Sequence, residues 1–427
     1  MTSPIRLAPH GFCDFTATPF LAASPHKRSA RAAPSPSPST APAPALALAP
    51  ALALALALAS AAAQAPPSPS CALNGLPCAP PRWTPTWNLT QSTVIQTGHT
   101  SGYFMPEHTW GLISLDWSVA RGTWFTGNAT NSSCEATLRA NCGLLKAAGK
   151  ATRCFSYHNS ELALEWLESQ RVLMLDPAKA DLFLQYLPGN PSGTPAGTVY
   201  HDPNPYGDQV FWNHSNIAAQ LAFIESLVAV VTAGPELDGS FTDDVDGLPA
   251  EHPDVPAALG MSADAVATLR YATQSAGAAL IAALTLAGRY TWQAFGSRDT
   301  SAPEPPPHAV ARGFVGVTPA SCAAFMRTYC GVEYQARPML MHMDIASPAI
   351  ANATLAAFLI TRPPYAYLGY AWESSDANFS SLFYLAVGEP TALCAEGPAG
   401  VFARPYSLGT PRLDCNSFEA ELPFSFM

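Results

Sequence analysis

The sequence predicts an α/β chain folded as a (β/α)8 TIM barrel, with a C-terminal β-hairpin and a disordered N-terminal leader. Three observations carry this expectation. From Trp110 onward, short apolar runs alternate with helical segments, the pattern of a parallel sheet covered by helices. The runs end in polar or aromatic residues, as strands do when their C-terminal ends share one functional face. An open doubly wound sheet is the alternative, but it usually carries a Gly-rich turn after its first strand, and none follows "WGLISLDW".

The elements follow in order. "WGLISLDW" (110–117) reads as a strand. "CEATLRANCGLLKAAG" (134–149) reads as a helix with cap candidates at 131–133. "ATRCFSYHN" (151–159) is a strand, and Ser160 is placed to cap a helix over "ELALEWLESQRVLML". "QVFWN" (209–213) is a strand, after which Ser215 or Asn216 caps "IAAQLAFIESLVAVVTA". "LDGSFTDD" (237–244) is a strand, and Ser262 and Gly288 bound a long helix. "RYTWQAFG" (289–296), "RPMLMHMD" (337–344) and "YAYLGYAW" (365–372) are strands separated by the helices "ASCAAFMRTYC" and "ATLAAFLIT". That makes seven strands; the eighth falls on "FLQYL" (183–187) or "RGFVG" (312–316). "GVFARPYSLGTPRLDC" reads as the terminal hairpin.

Composition divides the chain into a low-complexity leader (1–63), a Pro-rich linker and lead-in (64–100), the barrel (101–385) and a β extension (386–427). The leader has a basic stretch from Lys27 to Arg31, an Ala/Leu run from about Ala45 to Ala59, then Ala61-Ala62-Ala63, as in a secretory signal. An uncut membrane anchor and an organelle transit peptide are the alternatives. Six sequons, at Asn88, Asn128, Asn131, Asn213, Asn352 and Asn378, fit secretion as a glycoprotein. Nine cysteines follow the leader without metal-type spacing. Cys154 is expected as a buried thiol. The other eight are expected in disulfides, with Cys71–Cys78 and Cys394–Cys415 the simplest pairs.

The formal charge is −10. The leader has four cations against Asp14 alone, a net +3, which leaves −13 on the remainder. That excludes the basic footprint that nucleic acid or an anionic membrane needs. No membrane contact is expected once the leader is cleaved, and the chain is expected to be a monomer. No GxSxG elbow, P-loop or HExxH motif occurs, so serine hydrolase, nucleotide hydrolase and zincin readings lack support.

Only 12% of residues are charged, yet "FTDDVDGLP" gathers Asp243, Asp244 and Asp246 where a strand ends. Crowded carboxylates raise each other's pKa, a penalty expected at a functional site. Other strand ends supply Asp116 with Trp117, His158 with Asn159, Trp292 with Gln293, His342 with Asp344, and Trp372 with Glu373. Carboxylates and indoles in one cleft suit carbohydrate chemistry, in which sugar C–H faces stack on tryptophan and hydroxyls bond to carboxylates. Glycoside hydrolysis needs two carboxyl groups. Asp243 is the expected nucleophile or base, with Glu373 or Asp344 as the acid. Asp244, Asp246, Asp116, Trp117, His158, Asn159, Trp292, Gln293 and Trp372 are the expected substrate contacts. The plain alternative is an Asp/Gly turn.

"ELDGSFTDDVDG" resembles the Asp-rich strand end of a group of glycoside-hydrolase-like barrel proteins, related in style to α-galactosidases and endo-α-1,4-polygalactosaminidases. "QVFWNHSNIAAQLAFIESLV" resembles the element before it in that group. "YAYLGYAW", "GEP" and "GVFARPYS…RLDC" resemble the group's last strand and closing hairpin. The resemblance spans roughly 110–415 and implies that Asp243 is the catalytic carboxylate. Thr242 departs from it, standing where an aliphatic residue is common. The leading expectation is a secreted glycosidase acting on carbohydrate, with no cofactor and no metal. The alternatives are a catalytically silent glycan-binding barrel and a metal-dependent enzyme that uses the DDVD cluster.

Overall fold

A computed structural model describes residues 80–97, 103–119, 134–202, 209–248, 252–293, 310–312, 318–332, 334, 338–343, 348–370 and 379–427. The chain divides into two units, Met1–Ala65 and Pro66–Met427, and every described residue lies in the second.

The element order is β1 (Val94–Gln96), β2 (Trp110–Leu115), α1 (Cys134–Ala147), β3 (Ala151–Asn159), β4 (Leu162–Leu164), α2 (Glu168–Met174), β5 (Gln209–Phe211), α3 (Ile217–Thr232) and β6 (Gly239–Asp243). There follow α4 (Val255–Leu259), α5 (Ala263–Leu286), β7 (Tyr290–Gln293), β8 (Val310–Arg312), α6 (Pro319–Tyr329), β9 (Met339–Met343), α7 (Pro348–Thr361) and β10 (Ala366–Tyr370). The chain closes with β11 (Ala395–Glu396), β12 (Val401–Ala403), β13 (Arg412–Asp414) and β14 (Glu419–Glu421). Helix starts follow the expected chemistry: Asn216 and Ser262 accept hydrogen bonds from the backbone of Ala218 and Ala265.

Two parallel sheets form the body. One runs β1-β2-β3-β6-β7 and the other β10-β9-β8. A parallel bridge between Thr93 and Leu368 links β1 to β10. One face of both sheets feeds a single apolar cluster: Val94, Leu112, Phe155, Phe241, Tyr290, Trp292, Leu340 and Tyr367. Trp83 closes one end of it, edge-on to Phe155 and Tyr290, and its indole donates to the Tyr367 hydroxyl at 3.1 Å. Gly239 is required here, because a Cβ would stand 1.9 Å from the Tyr290 carbonyl oxygen. The opposite face carries Ile113, Leu115 and Cys154, which share a core with Leu138 and Leu145 of α1.

Several expectations are corrected. The segment after Ser160 is not one helix. Leu162–Leu164 pairs antiparallel with Gln209–Phe211, outside the parallel sheets, and α2 begins only at Glu168. "FLQYL" forms no strand, only isolated bridges at Phe183 and Gln185. Besides Leu162–Leu164, β1 is a strand that the sequence did not predict, and it lies inside the expected lead-in. The terminal hairpin is a four-stranded antiparallel sheet, β11-β12-β13-β14.

Cysteine pairing also differs. Cys154 bonds Cys142, tying β3 to the helix packed on it. Cys322 in α6 bonds Cys415, and Cys330 at its C-terminal cap bonds Cys394, so this helix and its end are fastened to the C-terminal region and Cys394 does not pair with Cys415. Cys71 and Cys78 lie outside the described residues. No described helix is long and apolar enough to cross a membrane.

Candidate active site

The site grows from the register of β3 and β6. Asn159 stands opposite Asp243 at the ends of these parallel strands. Strand side chains alternate between faces, so Phe155, Tyr157 and Asn159 share a face with Phe241 and Asp243. The Tyr157 ring stacks on Phe241 with centroids 5.9 Å apart. Its hydroxyl donates to Asp243 Oδ2 at 2.5 Å. Asp243 Oδ1 accepts from the backbone N–H of Asp244 at 2.9 Å. Its main-chain carbonyl accepts from the Ser160 N–H at 2.9 Å and from Ser160 Oγ at 2.7 Å. Ser160 therefore anchors the strand end, where the sequence placed it as a helix cap.

The chain then turns sharply. Asp244 has φ 52°, an uncommon value for a residue with a Cβ, and Gly247 has φ 76°. The Gly247 N–H closes the turn on the Asp244 carbonyl at 3.2 Å. To this extent the plain Asp/Gly turn is present. Asp244 is buried, and its Oδ2 accepts from Asn159 Nδ2 at 2.5 Å. The other end of that amide, Asn159 Oδ1, accepts from the N–H groups of Glu161 and Leu162. One amide thus ties together the ends of both strands. Burial, then the charges of Asp243 and Glu161, hold the Asp244 carboxyl well above the usual carboxylate range, against the lowering effect of Asn159. Burial and the neighbouring Asp243 charge likewise push the Tyr157 phenol up, keeping it a donor.

The remaining expected residues divide. Asp116 is buried at the end of β2, and its Oδ1 accepts from both the N–H and the hydroxyl of Ser118. Trp117 is half-buried, edge-on to Tyr157 at 5.1 Å and to Trp166 at 6.1 Å. Asp246 is fully buried, and its carbonyl accepts from Arg270 and Gln274 of α5, so it offers no surface to substrate. Trp292 is 0% exposed inside the apolar cluster and presents no open ring face. Gln293 faces the other way and donates to the Gly277 carbonyl in α5 at 2.8 Å. His158 lies on the face opposite Tyr157, its Nε2 3.0 Å from Ser156 Oγ, and burial lowers its pKa to about 4. His342 sits in β9 between Arg312 and Gly369 by register. Asp344, Trp372 and Glu373 lie outside the described residues.

The sequence reading passed over Tyr157, Glu161 and His252. Glu161 stands two residues after the strand-end amide Asn159, and His252 Nε2 stands 3.9 Å from Glu161 Oε2. Alternation along "RCFSYHN" already placed Tyr157 on the Asn159 face; the signal was there. Nothing in the sequence joined His252 to Glu161.

No protein-family model matches the chain. No curated protein matches it. Among solved structures it is similar to Aspergillus fumigatus Ega3 in complex with galactosamine, at 10% identity and TM-score 0.38, covering 70% of this chain and 97% of that one. It is also similar to an α-galactosidase from Thermus thermophilus, at 11% identity and TM-score 0.38, covering 76% and 66%. A cycloalternan-degrading enzyme from Trueperella pyogenes is similar at 13% identity and TM-score 0.39, covering 70% of this chain and 44% of that one. No residue role is carried over from them.

Proposed function

We propose that the chain is a secreted glycoside hydrolase whose two parallel sheets close into a (β/α)8 barrel, with Asp243 as its catalytic carboxylate. One observation carries the reading. Asp243 ends a parallel strand with both carboxylate oxygens aimed at donors, the Tyr157 hydroxyl and the Asp244 N–H. Two donors on the two oxygens fix the side chain in direction, as a nucleophile or base requires. Interior residues drawn from both sheets support the barrel.

In this mechanism Asp243 either attacks the anomeric carbon or activates a water, while a second carboxyl group protonates the leaving oxygen. The acid is Glu373 or Asp344, each of which follows a strand parallel to β6 in the same barrel. Trp117, half-buried against Tyr157, supplies the aromatic surface for a sugar ring. Asp116 and Asp244 stand at the ends of the same sheet. A screen of the purified chain against aryl glycosides and polysaccharides tests the reading. Hydrolysis of at least one substrate class is expected; binding without turnover across the panel would favour the glycan-binding alternative.

A further inference from the structure

We propose that Glu161, Asp244 and His252 form a binding site for one divalent transition-metal cation beside Asp243. Three separate segments supply the donors: the chain just past β3, the chain just past β6, and the loop before α4. One ligand atom from each lies within 4.8 Å of the others. Glu161 is 4% exposed, Asp244 is 7% exposed and His252 is half-buried, so this is not a solvated acidic surface.

The spacing points to an ion between the groups. His252 Nε2 and Glu161 Oε2 face each other across 3.9 Å, too far for a hydrogen bond. Metal–ligand bonds of about 2.0–2.2 Å hold neighbouring donors roughly 3–4 Å apart. Asn159 donates to the Asp244 carboxylate and accepts from the main-chain N–H of Glu161, so one amide fixes the first carboxylate and the backbone that carries the second. Outer-shell hydrogen bonds of this kind orient metal ligands.

The donor types select the ion. One imidazole and two carboxylates suit Zn²⁺ or Mn²⁺, whereas Ca²⁺ and Mg²⁺ sites are built from oxygen. Three protein ligands leave a position open to water or a substrate hydroxyl. This site is distinct from the whole DDVD cluster: Asp244 is its sole member from that run. The proposal rests on the strand-end geometry and not on the glycosidase reading.

Calorimetric titration of the chelator-treated, purified chain with Zn²⁺ and with Mn²⁺ tests it, with Ca²⁺ and Mg²⁺ run alongside. The expected result is one ion per chain, with affinity reduced at least about tenfold in both Glu161→Gln and His252→Gln, the lower end for disturbing a metal shell. Each variant is checked for folding by near-UV circular dichroism, and if one fails to fold the other decides. Anomalous diffraction from Mn²⁺-soaked crystals should place the ion among the three side chains. No binding of either transition ion, affinity unchanged in the folded variants, preference for Ca²⁺ or Mg²⁺, or an anomalous peak elsewhere would each overturn the proposal.

Discussion

The hydroxyl of Tyr157 lies 2.5 Å from Asp243 Oδ2, a hydrogen bond that crosses from the interior face of β3 to the last residue of β6. It makes Tyr157 a positioning residue. Removing the hydroxyl in Tyr157→Phe leaves the ring stacked on Phe241 but costs the carboxylate one donor. Hydrogen bonds to charged groups contribute about 1.5–3 kcal/mol, so turnover should fall roughly 10- to 100-fold. The loss should fall on kcat with KM nearly unchanged, because the hydroxyl touches the carboxylate. An unchanged kcat in a folded variant would assign Tyr157 to packing alone.

Two buried histidines make stability depend on pH. Burial lowers His158 and His214 to about 4, against an ordinary value near 6.5; in His214 a contact with the Ser160 carbonyl partly opposes this. Between those values the unfolded chain binds protons that the folded chain does not. Stability is therefore full above about pH 6.5 and is lost as pH falls toward 4. The loss is on the order of 3 kcal/mol per histidine. Urea midpoints measured from pH 7.5 down to pH 4.5 should fall, and His158→Gln should flatten the slope.

The two disulfides in and just after α6 close long loops, with sequence separations of 93 for Cys322–Cys415 and 64 for Cys330–Cys394. Replacing Cys322 and Cys415 together by serine should destabilise the fold by roughly 2–5 kcal/mol. Thermal unfolding checks this, and non-reducing peptide mapping should recover these two pairs and Cys142–Cys154.

Secretion predicts glycans where sequons are accessible. Asn88 and Asn352 are exposed, whereas Asn213 is half-buried with its amide directed at the Asp181 carbonyl. Glycopeptide mass spectrometry of the native protein should find modification at Asn88 and Asn352 and less at Asn213. Unmodified asparagine at both exposed sites would contradict the secretory route.

Much of the sheet was legible because long periodic elements declare themselves. Cys134–Ala147, Ile217–Thr232, Ala263–Leu286 and the strand ending at Asp243 all fall close to their sequence boundaries. β1 was not, because three apolar and polar residues in a Pro-rich stretch carry no period. "LALEWL" fits helix and strand equally well, and its partner at Gln209–Phe211 decides the matter through tertiary pairing. Cysteine pairing is a property of the folded chain, and spacing does not encode it. At the site, the sequence placed Asn159 and the pair Asp243–Asp244 at the ends of two different strands, and those two ends lie side by side in register. Trp292, His158 and Gln293 were misplaced, because a residue's nearness to a strand end does not settle which face it takes. Trp292 pairs with Phe241 in register, one layer below Asp243, while the other two turn away from that face.

The central claim is that Asp243 is the catalytic carboxylate, and turnover by Asp243→Asn on whichever glycoside the wild-type chain hydrolyses tests it most directly. Asparagine keeps the shape and can still accept from Tyr157, so folding and glycan binding should persist while turnover falls below detection. A folded Asp243→Asn variant that retains full activity would contradict the account.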